Sequence, residues 1–446
     1  MNNLTLIQFQ YNKILPTSVV YLAASLEKEK IDFDLKLFDV HNFYKSGSSL
    51  DMLFYFLADS KDIIAIGCFS DMLPYVLVVL QKIKYRWPQK IIILGGIGPS
   101  IVTEEILDAF DFIDFIIKGP GSIALPRLIK KISENKKDLG DLPMVYTRNK
   151  KTDANIHIYD FASDIPTITS YDFIRDIRLF DKFLIKTSSG CPYQCTFCYA
   201  RPVVDRKITY RGIDEVMDEI KAIKRQRKGK FILSIFDEAF VVNRNRVIEF
   251  CGHLRKHKLN IKWVCYGRVN CMDKKLLKIM FDAGCREVYY GIESGSNQIL
   301  QKIKKGFSIE EAIDIALVTK KVIPKVTASF IYRYPFESLH DFIDTFVSIR
   351  YLQFKDINTQ LHPLVPVKNS EIYLQYKNSL RFSLEEPCDY MLNSTIGDMP
   401  HEVRVFILNH PQVFYDYGYY ENRDLAKINQ IIKKNTKRIY SHTAIL

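Results

Sequence analysis

The chain has 446 residues, a formal net charge of +12 and an isoelectric point near 9.0. Its hydrophobic content of 47%, with 13% aromatic residues, supports sizeable cores and excludes extended disorder, and its length predicts about two or three domains. The excess positive charge permits an anionic partner, but the basic residues are scattered, so we interpret them as solvated surface and expect no nucleic-acid partner.

Residues 1–136 predict a doubly wound, Rossmann-like α/β domain. Short apolar runs alternate there with amphipathic segments, and runs without strict alternation are typical of strands buried on both faces of a parallel sheet. Such a sheet binds its ligand over the carboxyl ends of its strands. The predicted strands are 4–9, 33–38, 63–68, 91–94 and 112–117, and the predicted helices begin near residues 16, 50, 71, 100 and 121.

After a polar linker at 137–180 with a small hairpin, residues 181–362 predict a second series of strands and helices. Six strands with five intervening helices indicate a partial (β/α)6 barrel, whose catalytic residues lie at the carboxyl ends of the strands. Residues 363–446 lose this rhythm and predict a small, mainly helical cap that carries the substrate region. The predicted strands are 183–186, 231–236, 261–266, 287–291, 326–332 and 357–361, and the helices are 213–224, 245–256, 274–283, 309–320 and 339–352.

Three cysteines, Cys191, Cys195 and Cys198, follow the first predicted barrel strand with the spacing Cys-x-x-x-Cys-x-x-Cys. Thiolates hold iron–sulfur clusters, and a cubane of four irons normally takes four of them. Three thiolates on one loop therefore leave one iron open for a substrate or cofactor. Structural zinc is the alternative, but it requires four closed ligands, and neither a nearby histidine nor a second Cys-x-x-Cys is present.

This spacing, with an aromatic residue before the last cysteine, resembles the radical S-adenosylmethionine (SAM) superfamily. The resemblance implies a 4Fe-4S cluster whose open iron binds the amino and carboxylate groups of SAM. It further implies that an electron, from a flavodoxin- or ferredoxin-type donor, splits SAM to a 5′-deoxyadenosyl radical. Phe197 and Tyr199 flank the last cysteine, where an aromatic ring in this family commonly contacts adenine.

Further candidates for SAM binding end the later barrel strands. Asp237 and Glu238 occupy a position where the family often has Gly-Gly-Glu, and an acidic group there would stabilise the amino group of SAM; a helix N-cap is the alternative. Glu293 and Ser294 lie in a Gly-Ile-Glu-Ser-Gly-Ser segment similar to the family's, and would approach the ribose or methionine part. Arg268 would clamp a carboxylate bidentately or form a structural salt bridge.

The order of an α/β domain, a linker and a barrel is similar to the radical SAM enzymes that carry an N-terminal cobalamin-binding-type domain. That resemblance implies cobalamin as a possible further cofactor, bound near Ser70, Gly95, Gly96 and Gly119 at strand ends. Glycines there let backbone approach a large ring, although they also suit any tight turn. The chain departs from the family in having Gly-Pro-Gly-Ser after the fifth strand, where Gly-Glu-Gly-Glu is common.

These features favour a cobalamin-dependent radical C-methyltransferase that acts on a peptide or other small natural product. The alternative is a radical peptide epimerase, which converts an L-residue to its D-form, with Cys388 as hydrogen donor; a buried thiol without chemistry is the other interpretation of Cys388. A transfer-RNA methylthiotransferase needs three further cysteines in its N-terminal domain, and only Cys68 precedes the barrel here. A non-catalytic cobalamin module would have no need of the three-cysteine loop.

Cysteine usage and hydropathy predict the compartment. Nine cysteines spread irregularly through a long chain do not resemble a secreted disulfide framework, and an oxygen-labile cluster requires a reducing environment. The N-terminus shows no signal-peptide pattern, and the longest apolar stretch, around residues 72–80, is too short to span a bilayer. We therefore expect a cytoplasmic protein without a membrane partner.

Overall fold

A computed structural model describes residues 3–134, 142–149, 165–200, 206–384 and 399–439. The chain divides into two compact units. Unit 1 comprises Met1–Asp181, Asp218–Lys228 and Met391–Tyr415, and unit 2 comprises Lys182–Met217, Gly229–Tyr390 and Asp416–Leu446. None of the helices in the described ranges combines the length and the apolar character needed to cross a membrane.

Unit 1 contains a six-stranded sheet in the order β3-β1-β4-β5-β6-β7, parallel except for the pair β6–β7. Strand β4 is buried at all five positions because its sequence, Ile-Ile-Ala-Ile-Gly, has no polar side chain and helices cover both faces of a doubly wound sheet. The six strands of this sheet are β1 (Leu4–Gln10), β3 (Phe33–Asp39), β4 (Ile63–Gly67), β5 (Ile91–Gly95), β6 (Phe115–Ile117) and β7 (Val145–Tyr146). The two-residue strand β2 (Ile14–Leu15) is not part of it.

The helices of unit 1 confirm the predicted alternation but differ in detail around residue 100. A single helix was expected there, whereas two short helices form, separated at Val102, whose φ of −121° and ψ of 34° are not helical. The sequence also missed a short helix after β3, which begins where the side chain of Asp39 accepts the backbone N–H of Asn42 at 3.1 Å. The helices are Thr17–Lys28, Val40–Lys45, Leu50–Ala58, Leu73–Arg86, Ile97–Ile101, Thr103–Ala109, Gly121–Ser133 and His401–Asn409.

Two predicted regions divide differently from the expectation. Part of the linker expected at 137–180 is the edge strand β7, and residues 150–164 lie outside the described residues. The cap expected at 363–446 contributes to both units, because helix His401–Asn409 packs within unit 1, where Phe406 stacks on Phe110 at 5.2 Å between ring centroids.

Unit 2 contains the six predicted barrel strands, all parallel and in the order β15-β14-β13-β12-β11-β8. Because all six strands run parallel, their carboxyl ends lie along one edge of the sheet. The six barrel strands are β8 (Lys182–Ile185), β11 (Ile232–Ile235), β12 (Lys262–Gly267), β13 (Cys285–Glu293), β14 (Lys325–Tyr332) and β15 (Asn358–Pro363). Two separate antiparallel pairs are formed by β9 (Ser188–Ser189) with β10 (Thr209–Tyr210) and by β16 (Leu380–Phe382) with β17 (Gly418–Tyr420).

Helices connect these strands as predicted, and two of them begin with a complete capping box. Ser308 and Ser338 each accept the backbone N–H of the third helical residue, whose own carboxylate accepts the N–H of the serine. The helices are Ile213–Arg227, Arg244–Lys256, Lys274–Asp282, Asn297–Lys302, Ile309–Lys320, Leu339–Phe354, Glu371–Tyr376 and Leu425–Ile439.

Candidate functional site

The three-cysteine loop begins at the carboxyl end of the first barrel strand, as predicted. It is entered through the two-residue strand β9, which pairs antiparallel with β10. Gly190, directly before Cys191, has a φ of +111°, and a Cβ there would lie 2.3 Å from the carbonyl oxygen of Lys207. Only glycine fits this close approach, so the loop requires it.

The three cysteines are free thiols of differing exposure. Cys195 is buried, whereas Cys191 and Cys198 are half-buried. The loop turns tightly between them, because the backbone N–H of Cys198 donates to the carbonyl of Cys195 at 3.3 Å. Within the described ranges no three His, Cys, Asp or Glu side chains are arranged as a metal site. Three soft thiols on one loop are nevertheless the donors that an iron–sulfur cluster takes. The role of these cysteines as cluster ligands stays a prediction.

The carboxylate of Asp237 holds the entry to this loop. Its Oδ1 accepts the backbone N–H of Thr187 at 2.7 Å, and its Oδ2 accepts the hydroxyls of Thr187 and Ser188 at 2.5 and 2.7 Å. Burial raises the pKa of Asp237, while these donors oppose the rise. Because both oxygens are engaged within the protein, Asp237 positions the loop, and nothing in its geometry directs it to a ligand.

Glu238, the other half of the acidic pair, differs from Asp237. One of its oxygens forms an ion pair with Lys186, and both side chains are largely buried, at 14% and 13% exposure. Its second oxygen, Oε2, is buried without a hydrogen-bond partner among the described residues. Burial is the main cause that raises the pKa of the Cys191 thiol, and the charges of Cys195 and Glu238 raise it further. Glu238 therefore lies beside the cysteine loop with acceptor capacity left.

Glu293 and Ser294 lie at an irregularity where the register of β13 against β14 shifts. Glu293 has a φ of +77° and pairs with the Nζ of Lys305 at 3.4 Å. Burial raises the pKa of Glu293, and the Lys305 charge opposes this. The hydroxyl of Ser294 is fully buried, 3.2 Å from the hydroxyl of Thr345 and accepting the backbone N–H of Ser296 at 3.1 Å. Glu293 therefore faces the buried ammonium of Lys305, whereas the Ser294 hydroxyl is used inside the fold.

Arg268 follows β12 and lies against the cysteine loop. Its guanidinium carbon is 3.4 Å from the centroid of the Tyr193 ring, and its Nη1 is 3.9 Å from the sulfur of Cys195. Its other nitrogens donate to the side chain of Asn270 at 3.1 Å and to the carbonyl of Lys305. A clamp for a carboxylate, as the sequence suggested, would therefore have to replace contacts that already exist.

The two aromatic residues predicted to contact adenine, Phe197 and Tyr199, flank Cys198 in the loop. Phe197 makes an edge contact with Tyr334 at 6.4 Å, and the Lys305 ammonium lies 5.9 Å from the Phe197 centroid. Tyr199 is 51% exposed. Sequence reasoning missed Lys305 and Tyr334; the position of Tyr334 directly after the fifth barrel strand was the available signal. Cys388 lies outside the described residues.

The carboxyl edge of the unit 1 sheet holds the four residues predicted to approach a corrin. Gly96 has a φ of +91°, and a Cβ there would lie 2.6 Å from the carbonyl oxygen of Cys68. The backbone N–H of Gly119 donates to the hydroxyl of Ser100 at 3.0 Å, and the carbonyl of Gly95 accepts the N–H of Cys68 at 3.1 Å. The Ser70 carbonyl accepts the N–H of Leu73 at 3.3 Å. These contacts explain the glycines by loop packing, so their corrin role stays a prediction.

Sequence reasoning missed a buried polar cluster at this same edge. The carboxylate of Asp71, 5% exposed, accepts the hydroxyl of Tyr11 at 2.8 and 2.9 Å and that of Tyr44 at 3.3 Å. Burial, followed by the Asp71 charge, raises the pKa of Tyr11 well above its ordinary value. No motif links these residues: Tyr11 and Asp71 lie in loops after β1 and β4, and Tyr44 lies in the short helix Val40–Lys45.

Comparison with known proteins identifies the class. Residues 185–349 match the family model of the radical SAM superfamily, so the chain contains a radical SAM domain. The matched range begins at the end of β8 and includes the cysteine loop. A radical SAM domain implies a 4Fe-4S cluster and SAM as cofactors, as the sequence predicted.

Individual relatives cover more of the chain. An uncharacterised methyltransferase of Pyrococcus horikoshii is 26% identical over 338 residues, which are 72% of this chain and 70% of the relative. A protein of Methanocaldococcus jannaschii named as a methylthiotransferase is 28% identical over 268 residues, 57% of this chain and 56% of that protein.

Two solved structures share the fold. TsrM from Kitasatospora setae, a radical SAM methyltransferase with tryptophan and a SAM analogue bound, gives a TM-score of 0.68 at 16% identity, over 85% of this chain and 78% of TsrM. OxsB, a cobalamin-dependent radical SAM enzyme with aqua-cobalamin and SAM bound, gives 0.69 at 18% identity, over 98% of this chain and 68% of OxsB. The predicted succession of an α/β domain and a radical SAM barrel is confirmed.

Proposed function

We propose that this protein is a cobalamin-dependent radical SAM C-methyltransferase that acts on a peptide or other small natural product. The observation that carries the proposal is the three-cysteine loop at the carboxyl end of the first barrel strand, within a range that matches the radical SAM family. The same edge of the sheet brings a carboxylate with spare acceptor capacity, a buried Glu–Lys pair and aromatic rings beside that loop.

Each side chain at this edge has a role suited to its geometry. Cys191, Cys195 and Cys198 would hold the cluster, which together with bound SAM would supply the radical chemistry that activates a carbon–hydrogen bond of the substrate. Glu238, with its unpartnered oxygen, accepts the amino group of SAM. Glu293 would accept a hydrogen bond from a ribose hydroxyl, and the Phe197 ring would pack against adenine. Asp237 and Ser294 position the backbone that carries these groups.

Cobalamin, which would supply the methyl group, is assigned to the carboxyl edge of the unit 1 sheet. Ligands of doubly wound sheets bind over the carboxyl ends of the strands. Gly96 and Gly119, both with φ above +90°, leave the strand-end loops there without side chains. The fold likeness to cobalamin-bound OxsB extends over 98% of the chain and therefore includes this unit.

Partners and compartment follow from the cluster. Reduction of an iron–sulfur cluster requires a one-electron donor, and we assign this role to a flavodoxin- or ferredoxin-type protein. A reducing cytoplasm suits both the cluster and nine cysteines without a disulfide framework.

Methylthiotransferase chemistry is the competing assignment among the relatives. It requires a second cluster, held by three cysteines in the N-terminal domain, whereas the sequence before the barrel contains Cys68 alone. We therefore propose that the protein transfers a methyl group and does not insert sulfur into its substrate.

Anaerobic reconstitution tests the proposal. Native protein and the variant Cys195→Ala are loaded with iron and sulfide, reduced with SAM, and analysed for iron content and 5′-deoxyadenosine. Hydroxocobalamin is then added, and the absorption spectrum is recorded after desalting. The expected result is about four irons and SAM cleavage in the native protein alone, with corrin retained.

Each outcome decides a different part. Zinc in place of iron, or iron without 5′-deoxyadenosine, would exclude the radical function. Iron and SAM cleavage without retained corrin would exclude the methyltransferase and leave the epimerase; in that case solvent deuterium should enter one inverted residue, and Cys388→Ala should abolish its incorporation.

A further inference from the structure

We propose that Arg268 raises the reduction potential of the iron–sulfur cluster by donating a charged hydrogen bond to the sulfur of Cys195. The proposal rests on the proposed function, because Cys195 has to be a cluster ligand. It replaces the clamp for a carboxylate that the sequence suggested for Arg268 with a role toward the cluster itself.

The position of the guanidinium carries the inference. Arg268 directly follows β12, and its Nη1 lies 3.9 Å from the Cys195 sulfur, within the range of an N–H···S hydrogen bond. Cys195 is the most buried of the three cysteines, at 9% exposure, so water competes little for this sulfur. A charged donor is therefore directed at one of the three proposed ligands.

The side chain is held in that position by contacts on several sides. Its plane lies over the ring of Tyr193, two residues before Cys195, at 3.4 Å from the centroid. Its Nε donates to Asn270 at 3.1 Å, and its Nη2 donates to the carbonyl of Lys305. Gly306 lies beside Nη2, which a Cβ at that position would meet at an ordinary van der Waals distance of 3.6 Å. Such anchoring preserves the direction of the remaining N–H toward sulfur.

The charge on Arg268 is available to the cluster, whereas that of its neighbour is not. Lys305 is paired with Glu293, but in the described part of the chain no carboxylate forms an ion pair with Arg268. A guanidinium stays protonated at all physiological pH values. Net charge and hydrogen bonds to sulfur set cluster potentials, and reduction adds one negative charge. Arg268 therefore stabilises the reduced cluster more than the oxidised one.

A redox titration of reconstituted protein tests this role. Arg268→Gln removes the charge, Arg268→Lys keeps it but loses the stacked fork, and Arg286→Gln is the matched control. Arg286 also lies against a ring, at 4.6 Å from the Phe281 centroid, and donates to two carbonyls, but it contacts no cysteine of the loop. Iron content is measured first, and the reduced cluster is then followed by electron paramagnetic resonance at defined potentials.

The expected order of potentials is native and Arg286→Gln highest, then Arg268→Lys, then Arg268→Gln. For Arg268→Gln the reduction equilibrium should fall about tenfold, which is about 59 mV for one electron. An iron-loaded Arg268→Gln protein with the native potential would overturn the proposal while leaving the radical function intact. If this variant does not load iron, Arg268→Lys decides: a native potential there overturns the proposal as well. Native protein that binds no iron would instead contradict the proposed function.

Discussion

The carboxyl edges of the two sheets both contain a cysteine packed beside a glycine of positive φ, yet their chemistry differs. In unit 1, Cys68 is fully enclosed, and the loop carrying Gly96 packs on its backbone. In unit 2, Gly190 makes the same kind of close approach to Lys207, but two of the three cysteines that follow, Cys191 and Cys198, remain partly exposed. A glycine at a strand end therefore shows that backbones meet closely, and it does not by itself identify a ligand.

What separates the two edges is the surroundings of the sulfur. Burial raises the pKa of Cys68 and that of Cys191 alike, but only at Cys191 does a nearby cation, Arg268, oppose the rise. The unit 2 loop has the Arg268 guanidinium within 3.9 Å of one sulfur and a carboxylate with spare capacity near another. The following predictions test whether this difference decides where the cofactors bind.

Loss of a single loop cysteine should have the greatest effect. In Cys195→Ala only two proposed ligands remain, so iron content and 5′-deoxyadenosine formation should both fall to background. The matched variant Cys68→Ala removes a thiol from the other strand end and should keep native iron content. Equal iron loss in both variants would contradict the prediction that Cys195, unlike Cys68, is a cluster ligand.

Gly190→Ala should prevent the loop from closing. A Cβ 2.3 Å from the Lys207 carbonyl and a φ of +111° together cost about 1–3 kcal/mol, so the thermal midpoint and the iron content should both fall. Gly252→Ala is the control, because this helical glycine has no atom within 4 Å of the added Cβ. The Gly252→Ala protein should be about 0.5–1 kcal/mol more stable to unfolding than native protein, so its thermal midpoint should be slightly higher. A Gly190→Ala protein with full iron content would contradict the loop geometry.

Gly96→Ala should affect the other edge. The added Cβ would lie 2.6 Å from the Cys68 carbonyl, again at a cost of about 1–3 kcal/mol, and the distorted loop should weaken retention of cobalamin after desalting. Iron content of the cysteine loop should stay native, which separates this variant from Gly190→Ala. Undiminished corrin retention would exclude this loop as the corrin site.

Glu337 should make stability depend on pH. Burial raises the pKa of this carboxyl to about 8, with a further rise from Asp341, against opposing backbone donors such as the N–H of Arg333. The folded protein then keeps a proton that the unfolded chain releases, so stability should fall as the pH rises from about 4.5 to 8, by up to ~1.4 kcal/mol per pH unit. The thermal midpoint of the Glu337→Gln protein should fall less than that of native protein as the pH rises over this range. Identical pH profiles for both proteins would contradict it.

Local patterns in the sequence were sufficient for the fold and for the centre of the site. Apolar runs without alternation predicted the parallel strands of both units, because a strand buried on two faces tolerates few polar residues. The spacing of Cys191, Cys195 and Cys198 lies within one loop, so no tertiary information was needed to group them. The radical SAM domain was therefore predictable from short segments read in order.

The contacts that assign roles to individual side chains depend on residues far apart in sequence. Asp237 and Glu238 are adjacent and of one type, but only the folded chain shows that the first binds Thr187 and Ser188 while the second keeps a free oxygen. Arg268 approaches Cys195 across 73 positions. Sequence determined which elements form and where the cysteines lie; tertiary structure decided which charge faces which sulfur, because parallel strands bring their carboxyl ends together only once the sheet has formed.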